Sequence, residues 1–435
     1  MNILENIRER FEDIQSKNGN SPLTSIEKRA FNTFSTLGVP TVKHEEWKYT
    51  RISSVFNKEY AFTPEDKASP LAKNDLSQYH LPGYEAANEL FFVNGIYSKT
   101  LSNIRSQSLV VQNLEEAAKS EAKDIVSKHL GHSSDYIKDG IHALNTAFLE
   151  HGIFMQVKKG KVLEHPVYIY HITDARHSNI LAQPRTLIHI GENANAEFVE
   201  TFITVGGSES FVNAVTEVVV EQDAVVGYYK IQNDVSHSNQ VNTTHFRQVG
   251  KSVVHSVTVS LNGGIVRNNL NMVMEADRCE SDLHGLYFLR GKTHVDNHTI
   301  VDNVMPNCLS NELYKGIVDD SASAVFNGKI FVQRDAQKTN AFQSNKNILL
   351  SDDASVNTKP QLEIFADDVK CSHGCTVGQL NEEGLFYLRS RGISEKAAKA
   401  LLVHAFAIDV LDHIKLAPLR DYVDQLISAR LEVSL

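Results

Sequence analysis

Three side chains with metal-binding chemistry lie close together near the end of the sequence, at Cys371, His373 and Cys375. They belong to the segment KPQLEIFADDVKCSHGCTVGQL, which runs from Lys359 to Leu380. In an extended strand, side chains two residues apart share a face, so these three would line one side. Thiolate and imidazole groups suit iron, zinc and sulfur chemistry. The spacing therefore indicates a metal or sulfur site, although three groups alone do not close a tetrahedral one.

The remaining cysteines and histidines give weaker signals. Cys279 and Cys308 are isolated in sequence, and an isolated cysteine is more often a small buried hydrophobic residue than a nucleophile. The sequence HVDNHT, which carries His294 and His298, favours a strand and a corner rather than a helical metal site. Five histidines fall on or beside predicted strands and are expected to be hydrogen-bonded on an inward face: His245, His255, His284, His294 and His298.

The sequence lacks the motifs of several large enzyme classes. It contains no GxxxxGK[ST] phosphate loop, no GxGxxG after a strand, no GxSxG and no HExxH. Each of these motifs places a nucleotide, a nucleophile or a catalytic metal. We therefore expect that the chain does not hydrolyse ATP itself.

Composition is typical of a cytoplasmic globular protein. The 435 residues are 42% hydrophobic and 22% charged, with 43 basic and 53 acidic residues giving a formal charge of −10. The absence of a basic block argues against nucleic acid or an anionic membrane as a partner. The charged N-terminus does not resemble a signal peptide, and no apolar run reaches the length of a membrane span. Four cysteines do not make a disulfide framework, so reduced thiols are expected.

Periodicity divides the chain into three parts that would position these groups. Residues 1–152 are predicted to be mostly helical, residues 153–378 alternate with the period of two that is typical of strands, and residues 379–435 are helical again. Polar turns begin at Glu192, Gln222, Gly250 and Ala276, in steps of 30, 28 and 26 residues, and later turns at positions 319 and 352 continue less evenly. Asn-rich stretches such as 268–271 suit corners and side-chain ladders. This irregular repeat favours a parallel β-helix, and a β-sandwich is the alternative.

Two further segments carry predictions about packing. The single tryptophan, Trp47, lies in KHEEWKYT and is interpreted as an aromatic anchor onto the body of the protein. After position 377, Asn381, Ser394 and Pro418 are predicted to open three helices. The middle helix is expected to turn one stripe inward, formed by Ala397, Leu401, Ala405, Ile408 and Leu411. This tail either caps the strand stack or docks a partner.

Several long motifs resemble the SufB/SufD family of iron–sulfur cluster assembly proteins. The resemblance is dense between positions 282 and 406 and rests on DLHGLYFLRGKTHVDNHT, SNELYKGIV, AVFNGKI, AQKTNAFQSNKNILL, KPQLEIFADDVKCSHGCTVGQL and LFYLRSRGI. The N-terminal KHEEWKYT is similar to the SufD branch in particular. The first 150 residues contain no cysteine, unlike the cysteine-rich N-terminal segment of the SufB branch.

The resemblance implies a fold and a set of partners. The fold would be a right-handed parallel β-helix flanked by helical N- and C-terminal domains. The chain would be a non-catalytic scaffold subunit that pairs with a SufB-like paralogue through the end of the β-helix carrying CSHG. The C-terminal helices, residues 379–435, would bind a SufC-like ATPase. In isolation, the chain would form either a monomer or a homodimer.

The resemblance also implies roles for two residues. A nascent iron–sulfur cluster would be built at the interface with the SufB-like subunit, and no cofactor would be bound tightly by the isolated chain. His373 is the first choice as a transient cluster ligand, and Cys371 is the second.

The sequence departs from the family pattern at two positions, and two other functions stay open. Cys375 stands where the family usually has alanine in CSHGA, and Asn303 replaces a common histidine. One alternative is a carbohydrate-active β-helix enzyme that uses paired carboxylates, with candidates Asp277, Asp282 and Asp296. The other alternative is a small zinc site formed by Cys371, His373 and Cys375.

Overall fold

The computed structural model describes residues 3–17, 21–62 and 71–431. Within these ranges, twenty strands form two sheets of ten strands each. Sheet I contains, in spatial order, β2 (Ile96–Asn103), β1 (Asn88–Val93), β5 (Val167–Asp174), β8 (Asn195–Val205), β10 (Val225–Asn233), β12 (Val253–Asn262), β14 (Glu280–Leu289), β16 (Leu309–Val318), β18 (Asn340–Leu349) and β20 (Lys370–Gly378). Sheet II contains β19 (Ser355–Ile364), β17 (Ser323–Val332), β15 (His294–Asn303), β13 (Ile265–Met274), β11 (Ser238–Gln248), β9 (Ser210–Val220), β7 (Arg185–Ile190), β4 (Ile153–Val157) and β3 (Leu109–Asn113), with β6 (Ile180–Ala182) beside β9.

Helices lie at both termini of the chain. The described residues form eight α-helices: α1 (Ile3–Lys17), α2 (Thr24–Leu37), α3 (Leu114–Ala117), α4 (Lys123–His129), α5 (Gly140–Thr146), α6 (Glu382–Ser390), α7 (Glu395–Leu411) and α8 (Ala417–Leu431). Short 3-10 helices occupy Glu45–Trp47, Ile52–Asn57, Lys73–Tyr79, Tyr84–Ala86 and His132–Asp135.

The strands stack as a parallel solenoid. From β8 to β20, successive strands alternate between the two sheets, and each pairs in parallel with the strand two places further along the chain. Each rung is thus one strand of each sheet, and its apolar side chains join a continuous interior core. The parallel pairing confirms the predicted β-helix and excludes the sandwich, which would pair its strands antiparallel.

The uneven spacing of the predicted turns has a topological cause. The regular series near positions 192, 222, 250 and 276 lies where the chain passes from sheet II to sheet I. Asn193 and Asp223 take left-handed φ values of 56° and 55° at these corners, which asparagine and aspartate tolerate better than most residues. The turns near 319 and 352 lie on the opposite side, where the chain passes from sheet I to sheet II.

The asparagine-rich segment 268–271 lies in the middle of β13 rather than at a corner. Its ladder is nevertheless formed inside the solenoid, because the Asn268 Nδ2 donates to Gln232 Oε1 at 2.9 Å and to Asn297 Oδ1 at 3.1 Å. Sequence alternation could not place these amides, since a strand interior and a corner both accept asparagine when a partner amide stacks beside it.

Both sheets are covered on their outer faces by helices. Phe11 of α1, Phe34 of α2 and Leu144 of α5 pack with Phe211 of β9 and Val241 of β11 in one buried cluster outside sheet II. Helices α7 and α8 pack against the outer face of sheet I. The C-terminal helices therefore lie along the flank of the solenoid.

The predicted apolar stripe of α7 shares only Leu411 with the face that is buried. The buried residues of α7 are Ala398, Ala400, Val403, Ala407, Val410 and Leu411. Leu401 and Ile408, which the sequence pattern placed inward, are 38% and 39% exposed. Helix α7 is apolar on more than one face, and such a pattern does not specify which face meets the sheet.

Trp47 anchors the N-terminal part to the outer face of sheet II, as its sequence context predicts. Its ring is 1% exposed, and the guanidinium carbon of Arg267 lies 3.9 Å from the ring centroid. The indole Nε1 donates to Asp139 Oδ2 at 3.2 Å. The stacked cation and the satisfied N–H fix the ring on β13.

The two glutamates before this tryptophan extend the contact toward the last rungs. The Lys329 ammonium on β17 donates to Glu46 Oε1 at 2.6 Å, and that of Lys359 on β19 donates to Glu45 Oε1 at 2.5 Å. The KHEEWKYT segment thus crosses the strands that lead to the end of sheet II.

Candidate ligand site at the open end of the solenoid

The solenoid ends with β19 in sheet II and β20 in sheet I, a pair we call the open end. On β20, Cys371 is the register partner of Ala341, and His373 that of Gln343. Cys375 follows two residues later on the same face. The three side chains that the sequence singles out therefore sit together on the last strand of sheet I.

These three side chains continue the inward face of the solenoid. Their register partners on β18, Ala341, Gln343 and Asn345, are 0%, 3% and 0% exposed. By contrast, Cys371 is half-buried, and both His373 and Cys375 are exposed. An inward face is exposed here because β20 is the last strand of its sheet.

The Cys371 thiol is partly buried in the solenoid interior. It packs against the apolar core of the solenoid. Burial raises the pKa of this thiol, and a backbone hydrogen bond with Ala341 opposes the shift. A thiol of this kind stays protonated at neutral pH until a metal or a cationic neighbour stabilises its thiolate.

The described part of the chain does not assemble a complete metal site. Across residues 3–17, 21–62 and 71–431, no group of three or more His, Cys, Asp and Glu side chains is arranged to hold a metal ion. Cys371, His373 and Cys375 share a face but do not converge on one point. Among the described residues, these three side chains therefore supply at most part of a tetrahedral site.

Polar side chains lie directly behind the open end. Gln343 Nε2 donates to Glu312 Oε2 at 2.7 Å. Burial raises the pKa of the Glu312 carboxyl to about 7, against the opposing effect of its hydrogen bonds. Asn345 Nδ2 donates to the Tyr287 hydroxyl at 3.0 Å. Sequence reasoning missed these residues, because SNELYKGIV and FQSNKN show only alternation and not which strands become neighbours.

The other cysteine and histidine candidates have structural roles. Cys279 and Cys308 are both 0% exposed. Their thiols lie 3.2 Å and 3.4 Å from the Ala276 carbonyl oxygen in adjacent corners. His294 Nε2 contacts Thr50 Oγ1 at 2.8 Å, and His298 Nε2 lies 2.9 Å from Asp296 Oδ1.

Hydrogen bonds or ion pairs hold His245, His255, His294 and His298, and most of the strand histidines meet the terminal segments outside the solenoid rather than its interior. His245 Nε2 lies 2.9 Å from His132 Nδ1, under the 3-10 helix that begins at His132. His284 stacks on His413, which follows α7, with ring centroids 3.5 Å apart. The period of two identifies a strand face, but it does not say which face a terminal domain will cover.

The carboxylates proposed for carbohydrate chemistry are separated. Asp282 lies on β14 in sheet I and pairs with His255 at 3.0 Å. Asp296 lies on β15 in sheet II and pairs with Arg267 at 2.9 Å. Asp277 accepts from Asn307 Nδ2 at a corner, at 2.7 Å. Since each carboxylate has its own separate partner, these residues do not form the acid–base pair that a glycosidase needs.

Asn303, the residue that replaces a common histidine, lies at the end of β15. It is 0% exposed, and its Nδ2 donates to the Phe331 carbonyl oxygen at 3.1 Å. It is therefore a buried amide that bonds the neighbouring strand.

A second exposed surface lies on α6 and α7. Every residue of α6 is at least partly exposed, and Phe386 and Tyr387 are 75% and 58% exposed. Leu401 and Ile408 add exposed apolar area on α7. Large apolar side chains grouped on one unit mark an interaction surface more often than scattered single ones.

Comparison with known proteins matches nearly the whole chain to one family. The model for the SUF system FeS cluster assembly SufBD core domain matches residues 171–406, and that for the SufBD protein N-terminal region matches residues 4–169. An iron–sulfur cluster assembly SufBD family protein of Synechocystis sp. is 31% identical over 94% of this chain and 91% of its own length. The chain therefore belongs to the SufBD family of the SUF iron–sulfur cluster assembly system.

Within the family, this chain is SufD-like. It is 29% identical to the iron–sulfur cluster assembly protein SufD of Escherichia coli, over 91% of this chain and 90% of that protein. It is also 33% identical to the chloroplastic protein ABCI7 of Arabidopsis thaliana, over 61% of this chain and 57% of that protein. In the described part of the chain, no helix is both long enough and apolar enough to cross a membrane.

Proposed function

We propose that this chain is a non-catalytic cytoplasmic scaffold subunit that holds part of a nascent iron–sulfur cluster at its open end. One observation carries the proposal: the inward face of the solenoid is exposed at β20, and that exposed face bears Cys371 and His373. The cluster is cargo under construction, and the remaining ligands come from a partner subunit.

A SufB-like paralogue is the proposed partner at this end. Both β19 and β20 are terminal strands of their sheets, and a terminal strand offers unpaired backbone groups to an incoming strand. Phe365 and Val377 are 54% and 44% exposed beside these strands. A second solenoid of the same width would cover this apolar area and continue the stack.

A SufC-like ATPase is the proposed partner of the C-terminal helical unit, residues 379–435, of which the last four lie outside the described residues. The exposed Phe386 and Tyr387 of α6 support this assignment. Because α7 is packed on β14 and β16 of sheet I, force applied to these helices would reach the solenoid flank directly.

His373 is the proposed first ligand, and Cys371 is the proposed second. Imidazole and thiolate bind iron in iron–sulfur proteins, and both side chains lie on one strand face. Cys375 shares the face but is exposed, whereas Cys371 packs against the buried core. We propose that the isolated chain retains no tightly bound cluster, since it supplies an incomplete ligand set.

The proposal is tested by co-expression with SufB-like and SufC-like subunits. A tagged chain should retain both partners through purification. His373→Ala should leave the complex intact and reduce iron and sulfide incorporation at least tenfold, because a lost ligand weakens the site rather than the interface. His177→Ala is the matched control, since His177 is exposed in a loop far along the chain from β20.

Wild-type cluster formation in His373→Ala would contradict the ligand role. Failure of the intact chain to retain either partner would contradict the scaffold role. These two outcomes are independent, because the first concerns a ligand and the second concerns surfaces.

A further inference from the structure

A column of polar side chains leads from the solenoid interior to His373. Glu312 on β16, Gln343 on β18 and His373 on β20 are consecutive register partners in sheet I. Neighbouring parallel strands are about 4.8 Å apart, so successive side chains in such a column are within contact reach. Glu312 and Gln343 are each 3% exposed, whereas His373 is exposed.

The amide of Gln343 is held from one side only. Its Nε2 donates to Glu312 Oε2 at 2.7 Å, which fixes the nitrogen on the side of β16. Its Oε1 is shut off from solvent and has no hydrogen-bond partner within the described residues. A buried carbonyl oxygen without a partner costs free energy. In a planar amide the oxygen diverges from the held nitrogen, and the neighbour of β18 on the side away from β16 is β20.

The opposite sheet leaves room for this amide. A Cβ atom added at Gly328 on β17 would lie 2.3 Å from Gln343 Nε2. The φ angle of Gly328 is outside the left-handed region, so backbone conformation does not demand glycine there. The space that glycine provides is used by the Gln343 side chain.

We infer that Gln343, anchored by Glu312, is a positioning residue for His373. A turn of the exposed His373 side chain, which makes no such contact in the described structure, would let Gln343 Oε1 accept the N–H of one imidazole nitrogen and leave the lone pair of the other directed at the open end. Histidines that bind metals are commonly oriented by such an acceptor on the second ring nitrogen. This role rests on the proposed function of His373 as a cluster ligand.

The inference is tested by the tautomer of His373 in the intact chain. Nitrogen-15 NMR of histidine-labelled protein at pH 8 reports which ring nitrogen carries the proton. Gln343→Leu removes the acceptor and should change the ratio of the two tautomers about fivefold, as the loss of one hydrogen bond predicts. Glu312→Leu frees the amide to rotate and should change the ratio in the same direction by a smaller factor.

Asn345→Leu is the matched control. Asn345 is an equally buried amide on the same strand, but its register partner is Cys375. It should therefore lower stability without changing the His373 tautomers. If Gln343→Leu does not fold, Gly328→Ala displaces the same amide and provides the measurement.

Unchanged tautomers in Gln343→Leu or Gly328→Ala, with wild-type circular dichroism, would overturn the inference. Failure of the proposed function looks different. If His373→Ala supports full cluster formation while Gln343→Leu still changes the tautomer ratio, the positioning contact stands and the ligand role fails.

Discussion

The two ends of the solenoid are built differently. At the first end, β1 and β2 form an antiparallel hairpin around Asn94 and Gly95, and β3 pairs antiparallel with β4. Leu90 and Phe92 there are 0% exposed. At the open end, β20 exposes the inward face that bears His373. Repeat proteins need caps, so an end without one is where the proposed partner would bind.

The difference also concerns polarity. Near the first end the buried Glu200 carboxylate is fully paired, 3.0 Å from His171 and 3.2 Å from Lys230, whereas Glu312 and Gln343 behind the open end each keep one oxygen without a partner in the described structure. Buried polar groups weaken packing unless they are fully satisfied. The unpaired oxygens of Glu312 and Gln343 suit a place where ligands must be oriented rather than where stability is maximised.

The largest expected effect comes from breaking the first end. Phe92→Ala should lower the free energy of unfolding by about 3–5 kcal/mol, because it leaves a cavity in the core. Val377→Ala at the open end should change it by less than about 0.5 kcal/mol. Urea unfolding of the two variants measures the contrast, and equal costs would refute it.

The second effect is acid sensitivity of the N-terminal part. Burial lowers the pKa of His245 to about 3 and that of His142 to about 4, from ordinary values near 6.5. As the pH falls, these two histidines bind protons in the unfolded chain before they do so in the folded chain. The free energy of unfolding therefore decreases below pH 6.5. Each histidine lowers the free energy of unfolding by about 1.4 kcal/mol per pH unit until the pH reaches its pKa in the folded state.

Hydrogen exchange at pH 7 and pH 5 locates this effect. Amides of α5 and β11, which carry the two histidines, should exchange faster at pH 5 after correction for the intrinsic rate. Those of β20 should not, since no buried histidine lies on that strand in the described structure. A uniform change along the chain would contradict the assignment.

A smaller effect is expected where the KHEEWKYT segment crosses sheet II. Contacts with His298, and then Lys329, lower the pKa of Glu46 to about 2. The contribution of the Glu46 carboxylate to folding stability is present above pH 4.5 and is lost as the pH falls toward 2. Glu46→Gln should therefore cost about 1 kcal/mol at pH 7, since the carboxylate is partly exposed, and progressively less at acid pH.

The control for Glu46 is Glu45→Gln. Glu45 makes one ion pair with Lys359 at the surface of the last strand of sheet II. Its replacement should have little effect on unfolding at either pH. A cost for Glu45→Gln that matches Glu46→Gln would show that the segment contributes through general charge rather than through its contacts on β15 and β17.

The variant with the smallest expected effect on stability, Val377→Lys, should have the largest effect on assembly. Val377→Lys places a charge on an exposed position of β20, so the melting temperature should be unchanged. The same substitution should abolish pairing with a SufB-like subunit, because burial of an unpaired charge at an interface is costly. Co-purification measures the loss, and normal pairing would place the interface elsewhere.

Sequence patterns predicted the solenoid but not the neighbours inside it. Alternation identified the shared face of Cys371 and His373, because the direction of a side chain in a strand depends only on its position along that strand. The partners of the polar side chains inside β11 were not predicted, since some of them lie on other strands: Gln240 Oε1 accepts from Gln232 Nε2 of β10 at 3.1 Å. The Glu312–Gln343 contact depends on the register of strands about thirty residues apart, which no local pattern contains.

The central claim is that a partner completes the open end. Hydrogen–deuterium exchange of the full chain, with and without a SufB-like subunit, tests it most directly. Addition of the partner should slow exchange of amides in β19 and β20 and leave exchange in the β1–β2 hairpin unchanged. Protection of the hairpin with unchanged exchange in β20 would contradict the account.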